Sequence, residues 1–146
     1  MLFRSTGGGI EVLLGHPGGP FWHNKDLGSW SIPKGLIDEA EAPLAAAKRE
    51  FAEETGHTAR GKSLPLGAAK QPGGKIVHAW AVEDDWGTAL LESNMFEMEW
   101  PPKSGRTQSF PELDRAAWFD VPEARPRILK GQVVFLDRLL QTLESL

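Results

Sequence analysis

Apolar positions recur along this chain in three rhythms, and each predicts an element. Residues 10–14, Ile-Glu-Val-Leu-Leu, put apolar side chains on both faces of an extended segment, as an internal strand covered on two sides requires. The preceding Leu2-Phe3-Arg4-Ser5 is further strand material, cut off by glycines 7 to 9. Two runs within 58–71 and 74–82 read as strands joined by Pro72-Gly73-Gly74, a hairpin connection. Residues 96–100 alternate apolar with acidic, predicting a half-buried strand that Pro101 and Pro102 end. Apolar residues at near-helical spacing from Ala124 onward predict one packing helix, weakened at Gly131. Between these, residues 16–30 form a Pro- and Gly-rich loop, residues 83–87 a polar turn and residues 103–111 a basic, glycine-bearing loop.

One helical stretch carries chemistry as well as packing. Pro43 suits a first turn, and Leu44 to Glu54 are rich in helix formers, with Leu44, Ala47 and Phe51 as an apolar stripe. Glu50, Glu53 and Glu54 stand at i, i+3 and i+4, so a helix gathers three carboxylates on one face, with Arg49 beside them. They crowd the C-terminal end, where the macrodipole is already negative. Two unit charges about 6 Å apart at an effective dielectric of about 20 repel by roughly 3 kcal/mol, and a divalent cation reverses that sign. An all-oxygen donor set favours magnesium, with manganese as a substitute, over zinc. The competing reading is a solvated acidic helix face.

The wider spacing separates the two. Gly35, five residues, Glu41, seven residues, Arg49-Glu50-Phe51, one residue, Glu53-Glu54, one residue and Gly56 resembles the Nudix box, the signature of the Nudix hydrolases. His57 departs from it, standing where the family prefers an aliphatic residue. The resemblance implies an α/β fold, an α/β/α sandwich with a mixed β-sheet between helices, as one domain over residues 1–146. It also implies metal ligation by Glu50, Glu53, Glu54 and the Lys34 carbonyl, with Arg49 orienting the glutamates and Glu41 supporting the loop behind them. Glu53 or Glu54 then accepts the proton of the attacking water. Family members recruit a further carboxylate from downstream; Glu97, Glu99 and Glu112 are the candidates here, with an outward-facing acidic strand edge as the plainer alternative. Pro33-Lys34-Gly35 is similar to the entry of diadenosine polyphosphate hydrolases, and the Lys34 side chain can reach a phosphate. In the upstream loop, Trp22 can stack on a base or pin the loop, and Lys25 can contact phosphate or remain solvated.

Composition narrows the partners. The chain has 146 residues, no cysteine and a net charge of −4. One core, no disulfide or thiolate metal site and no broad nucleic-acid surface follow. The N-terminal residues lack the apolar run of a secretion signal and no segment is apolar enough to span a membrane, so a cytoplasmic location is expected. A homodimer remains open. The expected activity is magnesium-dependent hydrolysis of a diphosphate linkage in a nucleoside diphosphate joined to another moiety. A dinucleoside polyphosphate hydrolase is the first alternative, and a non-catalytic Nudix-like nucleotide-binding module the second.

Overall fold

The computed structural model describes residues 1–32, 43–59, 61–88 and 91–145. Its centre is a mixed five-stranded sheet of β1 (Leu2–Thr6), β2 (Gly9–Pro17), β3 (Ser63–Lys70), β4 (Ile76–Glu83) and β7 (Leu113–Asp120), in the order β3-β4-β1-β2-β7. β1 and β4 run parallel and the other neighbours antiparallel. β5 (Met95–Glu99) and β6 (Thr107–Pro111) form a separate antiparallel ribbon.

The unbroken apolar run in β2 is explained by cover on both faces: Val12, Leu13 and Leu14 are each 0% exposed. Alternation then sorts side chains into two cores. Leu2 and Leu13 pack with Phe51 of helix α1 (Pro43–Thr55) on one face. Phe3, Val12 and Leu14 pack with Phe135, Leu136 and Leu139 of helix α3 (Val133–Glu144) on the other. Burying each such side chain stabilises by about 1.5–3 kcal/mol, so the two layers commit the chain to a helix on each side of the sheet. This is the expected α/β/α sandwich. No helix among the described residues is long and apolar enough to cross a membrane.

The predicted β3–β4 hairpin is present, closed by the Gln71 N–H donating to the Lys75 carbonyl at 2.6 Å. Pro65 has no N–H to give the ladder, and the register shifts between Pro65 and Gly67. Arg138 of α3 donates to the Leu66 and Ala68 carbonyls at 3.0 and 2.7 Å, fastening that bulge to the helix.

Two expectations are corrected. The region after Ala124 is not one helix: α2 (Val121–Arg127) stops, residues 128–129 are extended, a 3₁₀ turn covers Lys130–Gln132, and α3 follows. The break occurs because the strand-like Trp30 competes for this backbone. Its N–H donates to the Arg127 carbonyl at 3.0 Å, and its carbonyl accepts from Leu129 at 2.7 Å. The basic, glycine-bearing loop that opens at Lys103 is short, since residues 107–111 pair with β5 as β6, a strand the sequence pattern does not mark.

Candidate active site

Helix α1 is fixed at its C-terminal end by interlocking contacts. The fully buried Thr55 hydroxyl donates to the Phe51 carbonyl at 2.7 Å and accepts the His57 N–H at 3.1 Å. Gly56 turns the chain at φ 77°, and a Cβ there would meet the Glu92 Cβ at 2.8 Å, so glycine is required both by conformation and by space. The Glu92 N–H donates to the Thr55 carbonyl at 2.9 Å, satisfying one of the helix's terminal acceptors. His57 fits well: its ring stacks on Trp86 at 5.2 Å, and Nε2 lies 2.8 Å from Asp84 Oδ2. An imidazole thus supplies the packing of an aliphatic residue together with a polar tie to the end of β4.

The carboxylates rise from this anchored end. Arg49 donates through Nη2 to Glu50 Oε1 at 2.9 Å and through Nη1 to both Glu53 oxygens at 3.0 Å. One guanidinium therefore bridges two carboxylates and takes up part of their repulsion. The three glutamates outnumber that arginine on about one turn of helix. Their environments differ: the Glu53 side chain is 44% exposed, that of Glu50 12%, and residue Glu54 is 8% exposed.

Oxygen donors on one turn, partly desolvated and with residual negative charge, fit a hard divalent cation by their chemistry. Among the described residues, no three acidic or histidine side chains converge on one point. Completing such a site therefore calls on donors elsewhere. Lys34 and Glu41, two of the predicted contributors, lie outside the described residues.

Beside this face, between α1 and β4, lies a cavity of about 290 Å³. Its lining includes Glu50, Lys48 and Phe51 from α1, and Lys75, His78 and Trp80 from β4 and the turn before it. Ile32 and Leu44, which bracket residues 33–42, line it too. No motif in the sequence marks Ile76, His78 or Trp80. The available signal was their i, i+2, i+4 spacing along a strand whose other side chains are apolar.

The remaining candidates stand apart from this cavity, none being among the described residues that line it. Trp22 is 43% exposed in the loop after β2, and the adjacent Phe21, not Trp22, makes the ring contact that rests the loop on Trp100, at 5.4 Å. Lys25 is exposed, and its carbonyl lies 2.6 Å from Nε2 of the buried His16, whose Nδ1 lies 2.8 Å from Asp114 Oδ1. Nothing in the sequence pattern marked His16 as the anchor of this loop. Glu97 and Glu99 point outward from β5, where Glu99 Oε1 accepts the Lys103 N–H at 2.6 Å, and Glu112 is exposed where β6 meets β7.

A mixed sheet between helix layers, with several glutamates at the C-terminal end of one helix, defines a class of α/β domain. The NUDIX domain family model matches residues 1–139, and the chain belongs to that family. It is 37% identical over 83 residues to an 8-oxo-(d)GTP phosphatase of Mycolicibacterium smegmatis, covering 55% of this chain and 26% of that protein. It is 41% identical over 54 residues to an RNA pyrophosphohydrolase of Caulobacter vibrioides, covering 34% of this chain and 31% of that protein. The chain thus spans about a quarter to a third of these curated relatives. Its fold is similar to that of a C. elegans Ap4A hydrolase, with a TM-score of 0.66 and 21% identity over 99% of this chain and 96% of that one.

Proposed function

We propose that this domain hydrolyses a diphosphate linkage in a nucleoside diphosphate joined to another moiety, with magnesium as the metal and manganese as a substitute. The observation that carries the reading is the position of Glu50, which belongs to the Arg49-braced carboxylate cluster and also lines the 290 Å³ cavity. Cation donors and room for a ligand therefore meet at one side chain. The relatives named as a phosphatase and a pyrophosphohydrolase support the reaction class, and their differing substrates leave the moiety open.

Phosphoryl-type transfer needs neutralised charge and an aligned water more than covalent help from the protein. Glu50, Glu53, Glu54 and the Lys34 carbonyl would hold the metal, which when bound neutralises phosphate charge and acidifies water. Arg49 fixes the Glu50 and Glu53 carboxylates with three hydrogen bonds, so little reorganisation is left for the reaction itself. Glu54, held in a mostly water-excluded position, or Glu53 accepts the proton of the attacking water. Glu41 supports the loop. A dinucleoside polyphosphate substrate is the second reading, favoured by Pro33-Lys34-Gly35.

Release of nucleoside monophosphate from nucleoside diphosphate sugars, dinucleoside polyphosphates and nucleoside triphosphates, with the sugar phosphate, second nucleotide or pyrophosphate as co-product, tests this. Release should require magnesium or manganese and stop on chelation. A purified domain that turns over none of these with either metal, or that ignores the chelator, overturns the proposal.

A further inference from the structure

We infer that Gln132 is a positioning residue for the metal-binding backbone at Lys34, acting through the Ile32 amide 100 positions away in sequence; this rests on the diphosphate-hydrolase reading above. Residues 30–32 lead into Lys34, and each of their backbone N–H groups is bonded to a different part of the fold. Trp30 donates to the Arg127 carbonyl at 3.0 Å, and its own carbonyl accepts from Leu129 at 2.7 Å. Ser31 exchanges two hydrogen bonds with Gly15 of β2, at 2.8 and 2.9 Å. Ile32 donates to Gln132 Oε1 at 2.8 Å, a side-chain acceptor where the other two have backbone partners.

The ladder that Trp30 begins explains the change of partner. Trp30 and Ile128 form a parallel bridge. Continued by two residues, that pairing would have Ile32 donate to the Leu129 carbonyl. The 3₁₀ turn of Lys130–Gln132 takes this acceptor, because the Gln132 N–H donates to the Leu129 carbonyl at 2.8 Å. Gln132 then supplies a replacement with its side chain. Ile32 is 5% exposed, so without that oxygen its N–H would meet neither an acceptor nor much water.

Gln132 is itself held in place. It is 0% exposed, and the Ile32 N–H requires the oxygen of the amide, not the nitrogen, to point that way. The turn that carries it is fastened to the β3–β4 hairpin, where Gln71 Nε2 donates to the Gly131 carbonyl at 2.7 Å. A Cβ at Gly131 would meet Gln71 Oε1 at 2.5 Å, so this contact is closed. Gln132 Nε2 has no partner among the described residues. A buried amide with one end unanswered is a poor choice for packing alone, and an apolar side chain of similar size would fill the space without it. The work of its oxygen accounts for the residue type. Lys34 follows Ile32 by two residues, which span at most about 7 Å. A coordinating group has to sit within roughly 0.5 Å of its productive place, and the Ile32 amide is the tie nearest to Lys34 among the described residues.

The test titrates manganese alone into the substrate-free protein, followed by electron paramagnetic resonance of the free ion, and measures hydrogen exchange of the Ile32 amide in metal-free protein. Gln132→Met keeps a similar volume and deletes the acceptor. Its Ile32 amide should exchange about 5- to 150-fold faster, as for a buried donor left unpaired. Manganese should bind about 10- to 100-fold more weakly, the usual effect of losing a group that orients a ligand. At saturating metal kcat should fall while KM stays within about twofold, because the substrate's own contacts are intact. Gln132→Asn draws the acceptor back by one carbon–carbon bond and should weaken manganese binding in the same direction, which keeps the test open if Gln132→Met does not fold. Arg138→Met removes two hydrogen bonds between α3 and β3, controls for lost stability, and should leave manganese affinity unchanged. Wild-type manganese affinity in a folded Gln132 variant, or an equal loss in Arg138→Met, overturns the positioning role and leaves hydrolysis intact. A wild-type domain that binds no manganese and turns over no substrate overturns the hydrolase reading instead.

Discussion

Glu54→Gln separates the chemistry of α1 from its stability. The residue is 8% exposed on the last turn of a helix that has no basic side chain there to offset the macrodipole. Glutamine keeps the shape and removes the charge. Relief of the dipole clash contributes about 0.3–1 kcal/mol. Relief of repulsion from Glu50, one turn earlier, contributes up to roughly 3 kcal/mol at 6 Å and an effective dielectric near 20. Both gains are offset by the carboxylate's own hydrogen bonding, worth about 1.5–3 kcal/mol for a charged group. These opposing terms leave a net change of at most about 2.5 kcal/mol in either direction in the metal-free protein, or up to roughly 10 °C in Tm for a domain of this size. Loss of a positioned proton acceptor lowers turnover by about 10²- to 10⁴-fold. The assay pairs steady-state release of nucleoside monophosphate under saturating magnesium with a melting curve of the same preparation. Turnover within about threefold of wild type, in a protein that melts normally, refutes the assigned role of Glu54.

Three further outcomes follow from the same geometry. Magnesium at ten times its Kd stabilises the folded state by about 1.4 kcal/mol, a Tm rise of roughly 3–5 °C. Glu50→Gln should remove most of that rise, and an equal rise in wild type and variant would place the ion elsewhere. Gly18→Ala would drive a Cβ into the Pro111 carbonyl oxygen, so the loop must shift and thermal denaturation should show about 1–3 kcal/mol lost; an unchanged Tm contradicts that packing. His57→Leu restores an aliphatic side chain but deletes the 2.8 Å bond to Asp84, lowering stability by about 1–2 kcal/mol, and a gain in stability would show that packing outweighs the polar tie.

The sheet and its helices were legible because burial writes a period into the sequence. Val12 to Leu14 read as an internal strand because both faces are covered, and of the predicted stripe Phe51 is buried, while Leu44 and Ala47 line the cavity and Ala46 is the buried alanine of α1. What stayed hidden depends on contacts between residues far apart in the chain. The end of α2 is set by Trp30, roughly a hundred positions earlier, and no local propensity reports that pairing. Trp86 sits in a segment that reads as a polar turn, yet it is 7% exposed because His57 stacks on it. The cavity shows the same limit. Ile76, His78 and Trp80 carry a clear alternation, but whether a strand face meets a helix or a ligand is decided by where α1 ends its contact with the sheet.

That endpoint also explains why the carboxylates belong on this helix. A helix held only by its apolar stripe can rock, and its side chains move with it. α1 is held additionally at its C-terminal end, where Thr55, Gly56, His57 and Glu92 lock backbone and side chain to the loops after β4 and before β5. Glu53 and Glu54 stand within one turn of those ties and Glu50 within two, while Leu44, Ala47, Lys48, Glu50 and Phe51 flank the cavity. Electrostatic catalysis depends on charges whose positions are fixed before the substrate arrives. Rigidity at the charged end is what the proposed hydrolysis would need, and Glu50 and Phe51, which line the cavity, carry that rigid end to the edge of the ligand space.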